Sequence, residues 1–214
     1  MLHVVITMRR VIFVRDTTMA VSLTESMTNR SMGTNMNNKL ENPNRLAELT
    51  PKDTLRRIGL KDGDTFCDVG AGTGIFTFAA AEITNNKIYA VEISNEMLEV
   101  LRVRTEEKKL ENVMIINGIQ AMPESSCSVI LLCTVLHEVP DVQKMVNEIK
   151  RIITKGGVLS VIEFHKRQTP MGPSVEHRLD RIQLAEDLRN YGLHQLQHFE
   201  LGENFYCSVF RCMD

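Results

Sequence analysis

Gly70, Gly72 and Gly74 stand between an apolar run, Phe66-Cys67-Asp68-Val69, and an alanine-rich stretch, Ile75-Phe76-Thr77-Phe78-Ala79-Ala80-Ala81. Glycine at every second position permits positive φ and lets backbone N–H groups approach a ligand without a Cβ in the way. A helix that opens straight after such a loop presents free N–H donors and a positive dipole end. The chain then returns as Lys87-Ile88-Tyr89-Ala90-Val91-Glu92, a second strand ending on an acid. Glu92 comes about 18 residues after Gly74, the spacing at which a carboxylate reaches a bound ribose. These features predict a strand–helix–strand unit that binds a nucleoside.

The glycine spacing narrows the choice of nucleoside. Gly70, Gly72 and Gly74 form G-x-G-x-G, whereas the dinucleotide fingerprint is G-x-G-x-x-G, and Ile75 occupies the place of its third glycine. No G-x-x-x-x-G-K-[ST] is present, so a P-loop is excluded. The run Asp68 to Gly74 resembles motif I of class I S-adenosylmethionine (SAM)-dependent methyltransferases. Glu92 matches the acid that binds ribose in that family.

The remaining elements read in order. Residues 44–49 and 51–60 predict two short helices, with Thr50-Pro51 as an N-terminal signal and Gly59 as a C-cap. Ser94 caps a helix running through Arg104. Residues 113–117 predict the third strand, followed by a loop through Gly118, Ile119 and Gln120. Residues 128–134 form a continuous apolar run, as a buried central parallel strand requires. Asp141 caps a helix to about Arg151, Gly156-Gly157 supplies a tight turn, and residues 158–164 supply the fifth strand. After a loop from His165 to Pro173, residues 175–191 read as one helix ended by Gly192. Residues 194–201 and 205–211 then form a hairpin.

The expected fold is α/β, a Rossmann-like, doubly wound, seven-stranded and mostly parallel sheet with a C-terminal antiparallel hairpin. The hairpin is a second discriminator, since an ordinary dinucleotide domain lacks it. Residues 1–35, rich in Ser, Thr, Asn and Met after a short apolar start, read as a poorly ordered arm or a start-site extension. Residues 36–214 read as the single catalytic domain.

Composition removes several function classes. The 214 residues are enough for one domain with a full core. A net charge of -2 gives no electrostatic basis for binding nucleic acid or an anionic membrane. No segment approaches the length of a membrane span. Five cysteines without a C-x-x-C pair point to reduced thiols in a cytoplasmic protein.

From about Met36 to the end, the chain resembles the type 11 methyltransferase domain group, related to the ubiquinone/menaquinone-biosynthesis methyltransferases. The stretch from Lys166 to Leu179 resembles a substrate-side loop of bacterial members. The resemblance implies transfer of a methyl group from SAM to a small-molecule acceptor, by in-line displacement. It places Asp68, Gly70, Ala71, Gly72, Thr73 and Gly74 around the amino-acid part of SAM, and Glu92 on the ribose. Ile93 and Met97 would flank the adenine, with Gly118, Ile119 and Gln120 beside its amine. Cys133 and Thr134 would present backbone groups near the methionine moiety.

His137, just past the fourth strand, is the candidate for acceptor chemistry, as a base or as a histidine packed over the cofactor. His165 reads more simply as a loop histidine, Arg45 as a solvated or capping arginine, and Glu176, His177 and Arg178 as a solvated helical face. His137, His165 and Glu163 match no metal-binding spacing. The competing class is a SAM-binding, non-catalytic or partner-activating protein on the same fold. An NAD-dependent oxidoreductase is disfavoured by the glycine spacing and the lack of Y-x-x-x-K. Thiolate chemistry on a metalloid is disfavoured because Cys67, Cys133 and Cys207 lie in separate strands.

Overall fold

The computed structural model describes residues 3–7, 10–14 and 40–212. It divides into two units, residues 1–40 and 41–214. In the first, β1 (His3–Thr7) and β2 (Arg10–Val14) pair antiparallel, with His3 opposite Val14 and Thr7 opposite Arg10. The rest of the expected N-terminal arm lies outside the described residues.

The second unit begins with α1 (Pro43–Leu49) and α2 (Pro51–Arg57). Thr50 between them is left-handed, at φ 35°, and makes no side-chain cap to α2. The expected Thr50 cap is therefore absent, and Thr54 instead donates its hydroxyl to the Leu49 carbonyl at 2.6 Å. Gly59 closes α2 as expected: its N–H reaches Arg56 O and that of Leu60 reaches Leu55 O, each at 3.0 Å. This paired closure requires the left-handed φ of 103° that glycine adopts freely.

Next come β3 (Phe66–Val69), α3 (Ile75–Ala81), β4 (Ile88–Glu92), α4 (Asn95–Glu107) and β5 (Val113–Asn117). The chain then crosses back through β6 (Cys127–Cys133), α5 (Val142–Ile152) and β7 (Ile153–Phe164). It ends with α6 (Arg181–Asn190), β8 (Leu193–Leu201) and β9 (Phe205–Cys212). The seven strands run in the order β5-β4-β3-β6-β7-β9-β8, parallel except for β9, which pairs antiparallel with both β7 and β8.

Two apolar layers cover the sheet. Leu49, Leu55, Phe76, Ala80 and Leu101 pack on one face against Phe66, Leu131, Ile162 and Phe205. Val146, Ile149, Leu184 and Leu188 pack on the other against Ile130, Leu132, Val161 and Phe210. Burial on both faces explains why β3 and β6 read as continuous apolar runs rather than alternating ones.

Two expectations require correction. The Gly156-Gly157 turn is not a break before the strand. β7 runs through it, with Cys127 opposite Ile153 and Val129 opposite Val158, so the glycines form an irregular bulge inside one strand. A Cβ on Gly157 would lie 2.9 Å from the Ser128 carbonyl, which is why the bulge tolerates no side chain there. Nor do residues 175–191 form one helix. A short 3-10 turn covers Val175–His177, and α6 starts anew at Arg181 under an Asp180 cap that accepts from Ile182 and Gln183 N–H. The interruption is Arg178, whose 4% exposure contradicts a solvated face.

Candidate active site

The chain winds from β3 outward to β5, then returns to β6 on the other side of β3. Loops leaving β3 and β6 in opposite directions open a crevice at the carboxyl ends of the strands, where ligands bind in open α/β sheets.

On the β3 side, residues 70–74 are drawn back onto the sheet. Gly70 and Ala71 N–H donate to the Val91 carbonyl at 2.8 and 3.0 Å, and Gly74 N–H to Ala71 O at 2.9 Å. Gly72 N–H donates to Glu92 Oε2 at 2.9 Å, while Glu92 Oε1 accepts from Ile93 and Ser94 N–H at 2.7 and 3.0 Å. The loop's glycines thus serve shape more than a fan of free donors. At Gly70 (φ 73°) a Cβ would sit 2.4 Å from Val135 Cγ2, and at Gly74 (φ 87°) the same distance from Phe78 Cε2.

Asp68 is 2% exposed and accepts from the Thr77 hydroxyl at 2.7 Å. Burial pushes its carboxyl up to about 6, the Thr77 bonds oppose this, and the Glu92 charge adds to it. Thr73, also buried, gives its carbonyl to Arg104 at 3.0 Å. Arg104 in turn pairs with Glu41.

The adenine-side candidates separate. Ile93 is 79% exposed directly beside Glu92, an apolar surface available to a flat ring. Met97 is buried, its N–H capped by Ser94 Oγ, and belongs to the floor. Gly118, at φ 80°, donates to the Glu92 carbonyl at 3.0 Å and tethers the third loop to the second. Ile119 is buried in the 3-10 turn that follows, and Gln120 is exposed.

On the β6 side the site is assembled from distant side chains. Thr134 is left-handed at φ 56°, a costly conformation for a β-branched residue. It is held by its N–H to the Ile162 carbonyl at 2.7 Å and by Arg45, which donates to its hydroxyl at 3.0 Å. Arg45 also points at Cys133 Sγ, at 3.8 Å, and is buried. The solvated reading of Arg45 is therefore corrected: α1 delivers it to the end of β6. Burial pushes the Cys133 thiol up to about 12.

His137 lies in the 3-10 turn Leu136–Glu138 after β6. Its Nδ1 is 2.8 Å from Glu163 Oε2, and its backbone N–H donates to Glu163 Oε1 at 3.2 Å. The Glu163 hydrogen bond holds the imidazole above its ordinary value, against the pull of partial burial. Glu138 beside it is 76% exposed on its side chain. His165 turns elsewhere, with Nε2 2.7 Å from Glu200 Oε2 and its ring 5.7 Å from that of Tyr206. His137 and His165 do not converge. Among the described residues no group of three His, Cys, Asp or Glu side chains is placed to hold a metal ion.

Three residues of this region have partners that the sequence did not disclose. Glu163 closes on His137. Asn204 is 1% exposed and ties the β8–β9 turn to α1 through Glu48, at 2.9 and 2.6 Å, and to Met171 N–H at 3.0 Å. Arg178 reaches the carbonyls of His165, Arg167, Met171 and Pro173 and the Thr169 hydroxyl, fastening the loop over β7. A buried polar residue in an apolar neighbourhood has no sequence signature of its own; the glycine- and proline-rich loop before Arg178 was the one hint.

A glycine-shaped loop, an acid at the end of the next strand and an antiparallel strand inserted beside β7 together define a methyltransferase-type fold. The chain belongs to the methyltransferase-domain family, which it matches over residues 60–206, and by that family its cofactor is SAM. It is 30% identical over 118 residues to a demethylmenaquinone methyltransferase of Geobacillus sp. (strain WCH70), covering 52% of this chain and 50% of that protein. The chain spans about half the length of the curated relatives it matches. Among solved structures it resembles a SAM-dependent methyltransferase from Aquifex aeolicus, with a TM-score of 0.78 at 23% identity over 83% of this chain and 97% of that one. It also resembles the [4+2]-cyclase SpnF, with a TM-score of 0.66 at 18% identity over 77% of this chain and 81% of that one. Among the described residues no helix is long and apolar enough to cross a membrane.

Proposed function

We propose that this chain transfers the methyl group of SAM to a small-molecule acceptor by in-line displacement. The observation that carries the reading is Glu92 at the crevice between β3 and β6, gripping the glycine loop through Gly72 N–H. A carboxylate has about four lone-pair directions. Three backbone donors occupy Glu92, which leaves one for a ribose hydroxyl. The exposed face of Ile93 fits the adenine, with Met97 beneath it and the turn at Gly118, Ile119 and Gln120 alongside.

Asp68, Gly70, Ala71, Thr73 and Gly74 would surround the amino-acid end. Cys133 and Thr134 would face it from β6, where the Arg45 bond fixes their backbone. Bound SAM supplies an electrophilic methyl on a sulfonium. The protein's share is alignment, worth up to about 7–11 kcal/mol in favourable cases. Five cysteines without a C-x-x-C pair favour a cytoplasmic setting.

Calorimetric titration with SAM, S-adenosylhomocysteine and NAD tests the reading. Saturable binding of the first two and none of NAD is expected. Glu92→Ala should then weaken SAM by tenfold or more, since hydrogen bonds to a charged group contribute about 1.5–3 kcal/mol. NAD binding alone overturns the proposal. SAM binding without turnover of any acceptor moves the chain to the non-catalytic class.

A further inference from the structure

We propose that Arg45 is a positioning residue for the cofactor, holding Thr134 in its left-handed conformation so that the end of β6 stands ready for the amino-acid part of SAM. The inference deepens the methyl-transfer reading and rests on it.

Thr134 is an unexpected residue for its backbone. At φ 56° the ordinary choices are glycine, asparagine or aspartate, and a β-branched side chain adds strain there. Such strain persists only where the surroundings over-determine it. Two bonds do so here: Thr134 N–H donates to the Ile162 carbonyl at 2.7 Å, and Thr134 Oγ1 accepts from Arg45 Nη2 at 3.0 Å. A glycine would take the turn without strain but would offer Arg45 no hydroxyl to hold. That hydroxyl is what the threonine adds.

The holding group is itself held. Arg45 is buried, and its guanidinium carbon lies 5.8 Å from the centre of the Phe205 ring. One turn further along α1, Glu48 accepts from Asn204 N–H at 2.9 Å and from Asn204 Nδ2 at 2.6 Å, and Leu49 is fully buried. The helix is thereby fastened to the C-terminal hairpin and carries Arg45 to β6 as a fixed arm. Just past the turn, Val135 approaches Gly70 so closely that a Cβ there would lie 2.4 Å from Val135 Cγ2. The direction in which the chain leaves β6 therefore decides how its loop meets the glycine loop. Both loops adjoin the amino-acid end of SAM in the reading above, and the ammonium of that end needs acceptors. A backbone carbonyl is aimed only by its dihedrals, so a turn that wanders must be ordered again each time the cofactor binds.

Calorimetric titration of the full chain tests the proposal with two ligands. S-adenosylhomocysteine has the amino-acid end; 5′-methylthioadenosine keeps the nucleoside and lacks it. Arg45→Met and Thr134→Ala should each weaken S-adenosylhomocysteine by about tenfold, because the left-handed turn loses its clasp. Methylthioadenosine should lose far less. The double variant Arg45→Met with Thr134→Gly should regain most of the lost affinity, since glycine needs no clasp. An arginine that merely docks α1, or that pairs directly with the cofactor's carboxylate, is not rescued by a glycine at 134. Failure of the rescue, unchanged affinity in Arg45→Met, or an equal loss for both ligands overturns the proposal. Should Arg45→Met not fold, Thr134→Ala against Thr134→Gly decides: a weaker alanine variant supports the proposal and equal affinities overturn it. A wild type that does not bind S-adenosylhomocysteine overturns the cofactor reading as well, whereas the other failures strike this proposal alone.

Discussion

The two sides of the crevice are built on different principles. Around β3 and β4 the shaping bonds are short in sequence: Gly72 to Glu92 spans 20 residues, Thr73 to Arg104 spans 31, and the loop's other bonds are backbone to backbone. Around β6 and the hairpin they reach further: 89 residues from Arg45 to Thr134 and 156 from Glu48 to Asn204. The first side is a motif that one strand–helix–strand unit carries with it. The second exists only after α1, β6, β7 and the C-terminal hairpin have come together. Loop-closure cost grows slowly with length, so such distant contacts are thermodynamically accessible. They can also be exchanged one by one without disturbing the nucleoside motif. That separation suits a fold whose cofactor is constant and whose acceptor varies.

The largest expected effect comes from removing the buried guanidinium that fastens the loop after β7. Arg178→Met strands four carbonyls and the Thr169 hydroxyl. It should cost about 3 kcal/mol or more of stability, read as a lower denaturant midpoint. If the two sides are independent, S-adenosylhomocysteine affinity of the folded fraction stays at its wild-type value. A parallel loss of affinity in a protein that still folds breaks the comparison.

Asp68 sharpens it from the other side. Its folded value of about 6 lies above the 3.8 of an ordinary aspartate, mainly through burial. Between about pH 4 and 6 the unfolded chain gives up this proton before the native state does. Stability therefore falls as pH rises through that window, by about 3 kcal/mol in total. Asp68→Asn should remove this slope, so that the variant overtakes wild type above about pH 6 in denaturant titrations and the two converge near pH 4. A wild type whose stability rises relative to the variant across the window means the carboxyl is ionised and compensated in the native state. The cost is concentrated on the nucleoside side, in a carboxyl that the family resemblance assigns to SAM.

What the sequence disclosed follows the same division. Strand β5 was predicted at its observed bounds, and the Ser94 and Asp141 caps are both in place, because capping and apolar runs are local. The hairpin was legible too, as two strand-like runs joined by a tight connection. The single long helix over 175–191 failed because helical periodicity cannot reveal that Arg178 is buried by a loop folding back over it. The Gly156-Gly157 pair looked like a turn; only the facing strand shows that it is a bulge. Arg45 and Glu163 carried no motif at all. Their roles come from partners far along the chain, and a single sequence holds no record of such pairings.

Ile93 gives the smallest effect and the cleanest one. Its side chain lies 79% exposed, so the folded protein without ligand gains little from it. Ile93→Ala should leave stability within about 0.5 kcal/mol of wild type, as for other surface substitutions. Covering the same side chain with an adenine removes apolar area from water, worth about 1 kcal/mol for partial burial. The expected result is a roughly fivefold loss of SAM affinity by calorimetry, with an unchanged denaturant midpoint. Leu196→Ala on β8 is the control: Leu196 is 50% exposed on the strand at the opposite sheet edge from β5, and its loss should change neither number. Equal affinities for wild type and Ile93→Ala would move the adenine off the β4 edge, even if Glu92 still holds the ribose. An exposed isoleucine beside a buried acid would then need another partner.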